Sequence, residues 1–193
     1  MLSHLRPALV MLSLFTLLAG LIYPLAITGV AQVLLPSGAN GSLVLRANQV
    51  VGSELIGQTF LSDRYFWSRP SAAGEKGHDA AGSLGSNLGP LSKKLIDRVE
   101  GDVAALRKAG AMSIPVDAVT TSASGLDPHI SPGYAALQIG RVAAARSVPE
   151  ARVRAAVETT IERPALGFLG EPRINVLRLN LALDAASPGG ADR

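Results

Sequence analysis

From Ala8 to Leu35 the chain reads ALVMLSLFTLLAGLIYPLAITGVAQVLL, 28 residues without one Asp, Glu, Lys or Arg. A helix needs about 20 apolar residues to cross a hydrocarbon core roughly 30 Å thick, so residues 8–35 read as a membrane span with length to spare for tilt. The only polar side chains inside it are hydroxyls and Gln32, and Gln32 lies near the end, within reach of headgroups or a partner. Pro24 removes one backbone N–H, which predicts a kink near Leu21 to Tyr23 and a freed carbonyl that needs a partner. Gly20 and Gly29 leave bare spots for the close approach of another helix.

A cleaved signal peptide is the competing explanation, with Arg6 ahead of the run and small residues at Gly29-Val30-Ala31. An h-region is only about 7 to 15 residues long, whereas this run is about twice that, with Pro24 in its middle. The anchor reading is therefore preferred. Arg6 and the amino terminus on one side, against Arg46 and Glu54 on the other, place the N-terminus in the cytoplasm and the following domain outside. The chain then divides into a short cytoplasmic N-terminus (1–7), a transmembrane helix (8–35) and a soluble periplasmic domain (36–193) with a frayed tail at 185–193. The fold class expected is α+β, a single N-terminal transmembrane helix followed by one mixed α and β domain.

All 15 acidic residues and 17 of the 18 Lys and Arg follow the span, so the domain carries only +2. That balance gives no electrostatic case for nucleic acid, and the aromatics do not interleave with basic residues. The absence of cysteine excludes disulfides, zinc–thiolate sites and thiol catalysis.

Along the domain, Pro36 to Ser42 is a turn-forming cluster, and Leu43 to Leu45 with Val50-Val51 predict a short hairpin. Tyr65-Phe66-Trp67 reads as a core anchor for a loop-rich region rather than an exposed patch. Residues 72–90 are a long Gly-, Ala- and Ser-rich loop, a kind that usually binds something. Apolar spacing predicts a helix over Leu91 to Ala109, stopped by Gly110. Ile114 to Thr120 reads as a short strand or turn. Ser131-Pro132 opens a helix, Ser147 with Glu150 reads as a capping box for the next, which Pro164 ends, and the two predict an α-hairpin. Ile174 to Leu183 alternates from Leu177 onward and reads as the best strand in the chain, with a phase slip between Val176 and Leu177.

Three clusters invite chemistry. Asp127-Pro128-His129 beside Ser122 and Ser124 has the residue types of a hydrolase triad, but no Gly-x-Ser-x-Gly elbow accompanies it, and Asp before Pro with loop serines is the composition of a turn. His78, Asp79, Asp127 and His129 are scattered over about 50 residues, which is poor spacing for a metal site. The segment Gly82-Ser83-Leu84-Gly85-Ser86-Asn87-Leu88-Gly89-Pro90, leading into a helix, could turn N–H groups toward an anion, but the Lys-Ser/Thr of a phosphate loop is missing. A bitopic chain with no self-sufficient catalytic set is most often a partner's subunit.

A set of short blocks runs in order along nearly the whole chain: Asn40-Gly41-Ser42-Leu43, Gly52-Ser53 with Leu55-Ile56-Gly57-Gln58 and Phe60, and Tyr65-Phe66 leading to Arg69-Pro70-Ser71. Gly85-Ser86-Asn87-Leu88, Val119-Thr120 with Ser122-Ala123-Ser124-Gly125-Leu126-Asp127, Gln138 with Arg141-Val142-Ala143, and Asn180-Leu181-Ala182-Leu183-Asp184 complete it. Together they resemble the C subunit of the bacterial Kdp potassium-transporting ATPase. The resemblance implies an inner-membrane complex that moves potassium ions at the expense of ATP. Its other members are a channel-like subunit, a P-type ATPase subunit and a small single-span subunit.

In that family the C subunit is non-catalytic and acts as a chaperone that raises the affinity of the ATPase for ATP. The resemblance places nucleotide contacts at Ser83, Gly85, Ser86, Asn87 and Gln138. Leu84 departs from the family's glycine at its position, and its side chain hinders close backbone approach to a phosphate. Nucleic acid, metal and catalytic residues have no place in this reading. The alternative is a membrane-anchored periplasmic hydrolase using Ser124, His129 and Asp127.

Overall fold

A computed structural model describes residues 2–186. The chain is α+β and divides between Val51 and Gly52 into two compact units. In the first, helix α1 (Leu2–Leu17) passes through one π-helical turn (Leu18–Ile22) into α2 (Tyr23–Leu34). From His4 to Leu34 this helix is long and apolar enough to cross a membrane, and none of it is buried in protein. The predicted break is resolved as the π turn, one turn before Pro24. The proline ring would collide with the carbonyl four residues back, and the wider turn lets the Tyr23 N–H bond Leu18 O, five residues back.

The turn cluster that follows contains a short helix α3 (Pro36–Ala39). Gln32 bonds Asn40 through both amides at 3.1 and 3.4 Å, and the Asn40 amide also donates to Pro36 O at 2.7 Å, which finishes the helix end. The hairpin forms as β1 (Leu43–Arg46) and β2 (Gln49–Ser53), its two-residue turn made by Ala47 (φ 50°) and Asn48 (φ 64°). Residues 36–51 thus group with the helix in the first unit rather than with the following domain.

In the second unit α4 (Lys93–Lys108), a single 3₁₀ turn (Val116–Ala118), β3 (His129–Ile130), α5 (Pro132–Arg146), α6 (Glu150–Thr160), β4 (Ile161–Glu162), β5 (Arg173–Asn175) and α7 (Val176–Ala186) follow one another. The three strands make an antiparallel sheet in the order β3-β5-β4, pairing Ile130 and Ile161 with Ile174. One core lies under it, with Phe66, Ile139, Val142, Val153, Ile174, Val176 and Leu179 buried almost completely.

The helix at Ser131-Pro132 forms as its caps dictate, Ser131 Oγ accepting the Tyr134 N–H at 3.0 Å. Helices α5 and α6 pack together as the predicted α-hairpin. The capping box at Ser147 does not form: Ser147 instead closes α5 in the left-handed region (φ 56°), and Pro149 is the residue ahead of α6. That helix stops at Thr160 and passes directly into β4, ahead of Pro164. Helix α4 covers 93–108 with Val99, Val103 and Leu106 half-buried on the core, while Leu91, expected on its inner face, lies before it and is fully exposed.

The reading of Ile174–Leu183 as one strand is wrong. The strand ends at Asn175, and Val176–Ala186 is helix, with Val176, Leu179, Asn180 and Leu183 buried at helical spacing. The same sequence satisfies both periods, because Leu177, Leu179, Leu181 and Leu183 alternate while 176, 179, 180 and 183 follow a helical face. The phase slip at Val176–Leu177 marks the strand–helix junction. Of the tail expected to fray from 185, Ala185 and Ala186 end α7, and the rest lies outside the described residues.

Candidate functional site

Residues 54–92 contain turns but no strand or helix, so their buried backbone groups must find partners elsewhere. Side chains supply them. The amide of Asn180 on α7 acts as a short piece of β-ladder, accepting the Phe66 N–H at 2.8 Å and donating to Phe66 O at 3.0 Å. From the other side Gln138 on α5 does the same for Trp67, at 2.8 and 3.2 Å. Successive residues of an extended segment point their backbone groups to opposite sides, so two helices can grip adjacent residues at once.

Arg141, one turn beyond Gln138, donates to Asp63 O (2.8 Å), Tyr65 O (3.1 Å) and Gln138 Oε1 (2.7 Å), and its guanidinium lies 3.6 Å above the Trp67 ring. Burial lowers its pKa from the usual 12.5, against the opposing pull of Asp63. Arg146 donates to Arg64 O at 2.6 Å and pairs with Asp184 at 2.9 Å, with both side chains buried, and Tyr65 adds a bond to the same carboxylate at 3.2 Å. Phe66 itself is completely buried, as the core-anchor reading requires.

The Arg69-Pro70-Ser71 block braces a second loop. Arg69 bonds Thr120 O and Oγ1 and pairs with Asp127 at 3.0 Å. Ser71 Oγ donates to Gly125 O at 2.6 Å and accepts the His78 and Ala73 N–H groups. The glycine-rich loop lies along residues 122–125: Leu84 N–H and Ser83 Oγ both donate to Ser124 O at 3.0 Å. A Cβ on Gly85 would stand 2.6 Å from Ala123 O, and one on Gly125 (φ 68°) 2.6 Å from Leu84 O. These two glycines therefore let two chain segments touch, a use of glycine distinct from cradling a phosphate.

The structure does not gather the nucleotide candidates in one place. Ser83 and Gly85 face 122–125. Asn87 takes a left-handed φ of 50° near Ser86, next in the same loop. Gln138 lies on α5, lining a cavity of about 430 Å³ with Trp67, Tyr134 and Arg141, to which no residue of 82–90 contributes.

Asp127 and His129 do meet. Asp127 Oδ1 accepts the His129 N–H at 3.0 Å and lies 3.3 Å from its Nδ1, while His129 Nε2 is 3.7 Å from Glu162. Ser124 Oγ accepts the Leu126 N–H in a tight turn, and Ser124 does not line the cavity that holds Asp127 and His129. Of the metal candidates, His78 Nδ1 sits 3.1 Å from Thr59 Oγ1 and Asp79 caps Ala81, and among the described residues no group of three His, Asp or Glu is placed to hold a metal ion. Burial lowers the pKa of His78. Asp127 and His129 line an open cavity of about 410 Å³ with Arg69, Asp117 and Arg173.

Burial pushes the Asp127 carboxyl up, but hydrogen bonds from His129 and Arg69 and the Arg69 charge outweigh it and hold the group down at about 2, against a usual 3.8. A carboxylate depressed in the folded state contributes stability above its unfolded pKa and loses it as pH falls toward the folded value. At roughly 1.4 kcal/mol per unit this amounts to at most about 2 kcal/mol, lost between about pH 4 and pH 2. Denaturant titrations of the detergent-solubilised chain at pH 5 and pH 2.5 will show a smaller acid loss in Asp127→Asn than in the parent. Equal losses would mean that the Arg69–Asp127–His129 bridge contributes nothing.

Sequence reasoning on residue types alone missed Arg69, Arg141, Arg146, Asn180 and Asp184 as braces. Four of the five stand in the blocks that carry the family resemblance, and only Arg146 carries no signal of that kind.

The family model described as "KdpC: K+-transporting ATPase, c chain" matches residues 5–185. The chain is 59% identical over 190 residues to the "Potassium-transporting ATPase KdpC subunit" of Caulobacter vibrioides, covering 97% of this chain and 96% of that one. It is 57% identical over 187 residues to the protein of the same name from Allorhizobium ampelinum (96% and 98%) and 55% identical over 190 residues to that from Polaromonas naphthalenivorans (97% of each).

Proposed function

The chain belongs to the KdpC family, the c chains of the K+-transporting ATPase, and from that premise we propose that it is the single-span accessory subunit of a high-affinity, ATP-driven potassium-uptake complex. Its partners are the channel-like potassium-translocating subunit, the P-type ATPase subunit and the small single-span subunit. Potassium is the cargo of the complex and ATP its fuel. The subunit itself is non-catalytic: it is needed for assembly and stability, and it raises the affinity of the ATPase for ATP.

The observation that carries this reading is how the family's residues are employed. Gln138, Arg141, Asn180 and Asp184 are committed to bracing residues 63–67, and Arg69 and Ser71 to bracing 120–127. Such a network builds a rigid surface for a partner. Ser83, Gly85, Ser86, Asn87 and Gln138 then influence nucleotide affinity from a distance, by holding the shape of that surface. In the inner membrane Arg6 keeps the N-terminus in the cytoplasm, the domain lies in the periplasm against the outer face of the channel-like subunit, and Gly20 and Gly29 let the span pack on a neighbouring helix.

Two experiments test this. The chain carrying an affinity tag will retain the other three subunits through purification in mild detergent, and His129→Ala will leave potassium-stimulated ATP hydrolysis of that complex unchanged. A chain that purifies alone and hydrolyses esters or peptides would overturn the subunit reading. For orientation, the chain lacks cysteine and Ala185 is exposed, so Ala185→Cys is a clean reporter. A membrane-impermeant maleimide will label it in intact spheroplasts; labelling only after lysis would reverse the orientation.

A further inference from the structure

The β4–β5 hairpin carries an apolar tip that the subunit reading leaves unused. Its end, Pro164-Ala165-Leu166-Gly167-Phe168-Leu169-Gly170, is closed by a bridge between Ala165 and Leu169, and Leu166, Phe168 and Leu169 are 85%, 77% and 63% exposed. The tip is built rather than slack. Leu169 N–H bonds Ala165 O at 2.9 Å, Ala165 N–H bonds Leu169 O at 3.1 Å, and the Gly167 and Phe168 N–H groups bond Pro164 O and Ala165 O. Leu166 is held at φ 54°, in the left-handed region that branched apolar residues avoid, a strain that persists only where the surroundings impose it.

We propose that this tip inserts into the interface of the lipid bilayer, as a second attachment of the domain to the membrane. Backbone that enters an apolar medium must have its polar groups satisfied internally, and four N–H groups of the tip already are. Around its base stand exposed Arg163, Glu171 and Arg173, a charged collar at the level where headgroups would lie. Arg173 is paired with Glu162, whereas Arg163 makes no ion pair with another described residue and is free to meet a lipid phosphate.

The three side chains offer on the order of 400 Å², below the roughly 800 Å² per partner of a stable protein interface. A second copy of the chain is therefore a poor occupant. A small apolar anchor suffices when the span already tethers the domain to the same bilayer and most of the entropic cost of association is met. The proposal rests on the reading of residues 4–34 as a span and does not depend on which leaflet the domain faces.

The test uses the full chain alone, without other subunits, in vesicles of phosphatidylethanolamine and phosphatidylglycerol. Single cysteines Phe168→Cys, Leu166→Cys and, as an exposed control, Met112→Cys each carry an environment-sensitive fluorophore. At 166 and 168 the emission will shift to shorter wavelength and be quenched by a doxyl-labelled lipid; at 112 neither will occur. Quenching equal at all three positions would reveal only partitioning of the dye, and solvent-like emission at 166 and 168 would leave the tip in water, so either result overturns the proposal. Protection that appears only when the other subunits are co-reconstituted would assign the tip to a protein contact and overturn it too. Failure of the protein to float with the vesicles would instead count against the span.

Discussion

Replacing Asn180 by Leu will destabilise the domain by about 3–4 kcal/mol, because the Phe66 N–H and C=O then lose their partners inside the protein, at about 1–3 kcal/mol for each buried group left unpaired. Asn180 is 2% exposed and Phe66 fully buried, so water cannot replace the lost bonds. For a domain of this size a loss of that order lowers the melting temperature by roughly 6–16 °C. The chain has a single tryptophan, Trp67, beside the grip, so its fluorescence reports on the segment directly. A melting temperature within a degree or two of the parent would show that Phe66 finds other partners and that the amide grip is incidental. Gln138→Leu provides the companion measurement at Trp67. Its effect should be smaller, since Trp67 is only half-buried and water can reach part of the vacated site.

The second large effect is expected at Arg146. Its side chain is 2% exposed and that of its partner Asp184 10%, so Arg146→Met takes the guanidinium at 2.9 Å away from a largely buried carboxylate, which Tyr65 still bonds, and releases Arg64 O as well. Breaking a buried pair from one side costs about 3–5 kcal/mol, whereas replacing both members with apolar groups is often close to neutral. The double variant Arg146→Met with Asp184→Leu should therefore recover a large part of the loss, and a double-mutant cycle will return a coupling well above 1 kcal/mol. One feature tempers the native pair: Arg146 Nη1 is buried and has no hydrogen-bond partner among the described residues, so desolvation of the guanidinium is not fully offset. Additive single effects would mean that the pair is solvated. Under the proposed subunit role, the surface of residues 63–67 that these grips hold meets a partner. Variants that lose it should be recovered from membranes with fewer partner subunits attached.

Much of this was legible along the chain. The span, the Leu43–Val51 hairpin, the Ser131-Pro132 helix start and the α5–α6 hairpin follow from local signals that do not depend on distant residues. Residues 174–183 misled because leucine and alanine at those positions satisfy a period of two and of 3.6 together. Which period prevails is decided by burial of Val176, Leu179, Asn180 and Leu183 against α6 and the sheet. Ser147 misled for a related reason: the short connection to α6 demanded a left-handed residue there, and a residue in that conformation does not serve as an N-cap.

The candidate site was legible in its members and not in their use. Gln138, Arg141, Asn180 and Asp184 stand out in the sequence as parts of the family blocks, yet residue type alone does not say whether an amide meets a nucleotide or a backbone. An Asn on α7 and a Gln on α5 become a pair only when the two helices hold Phe66 and Trp67 between them, more than 70 residues away in the chain. Hydrophobic runs, prolines and caps act within a few residues, so the chain alone specified the apolar N-terminal helix, the family and the start of α5 at Ser131-Pro132. What residues 54–92 do depends on contacts far away in the chain. A segment with no ladder of its own takes its shape from whichever buried side chains satisfy its N–H and C=O groups, and those are supplied by long-range contacts.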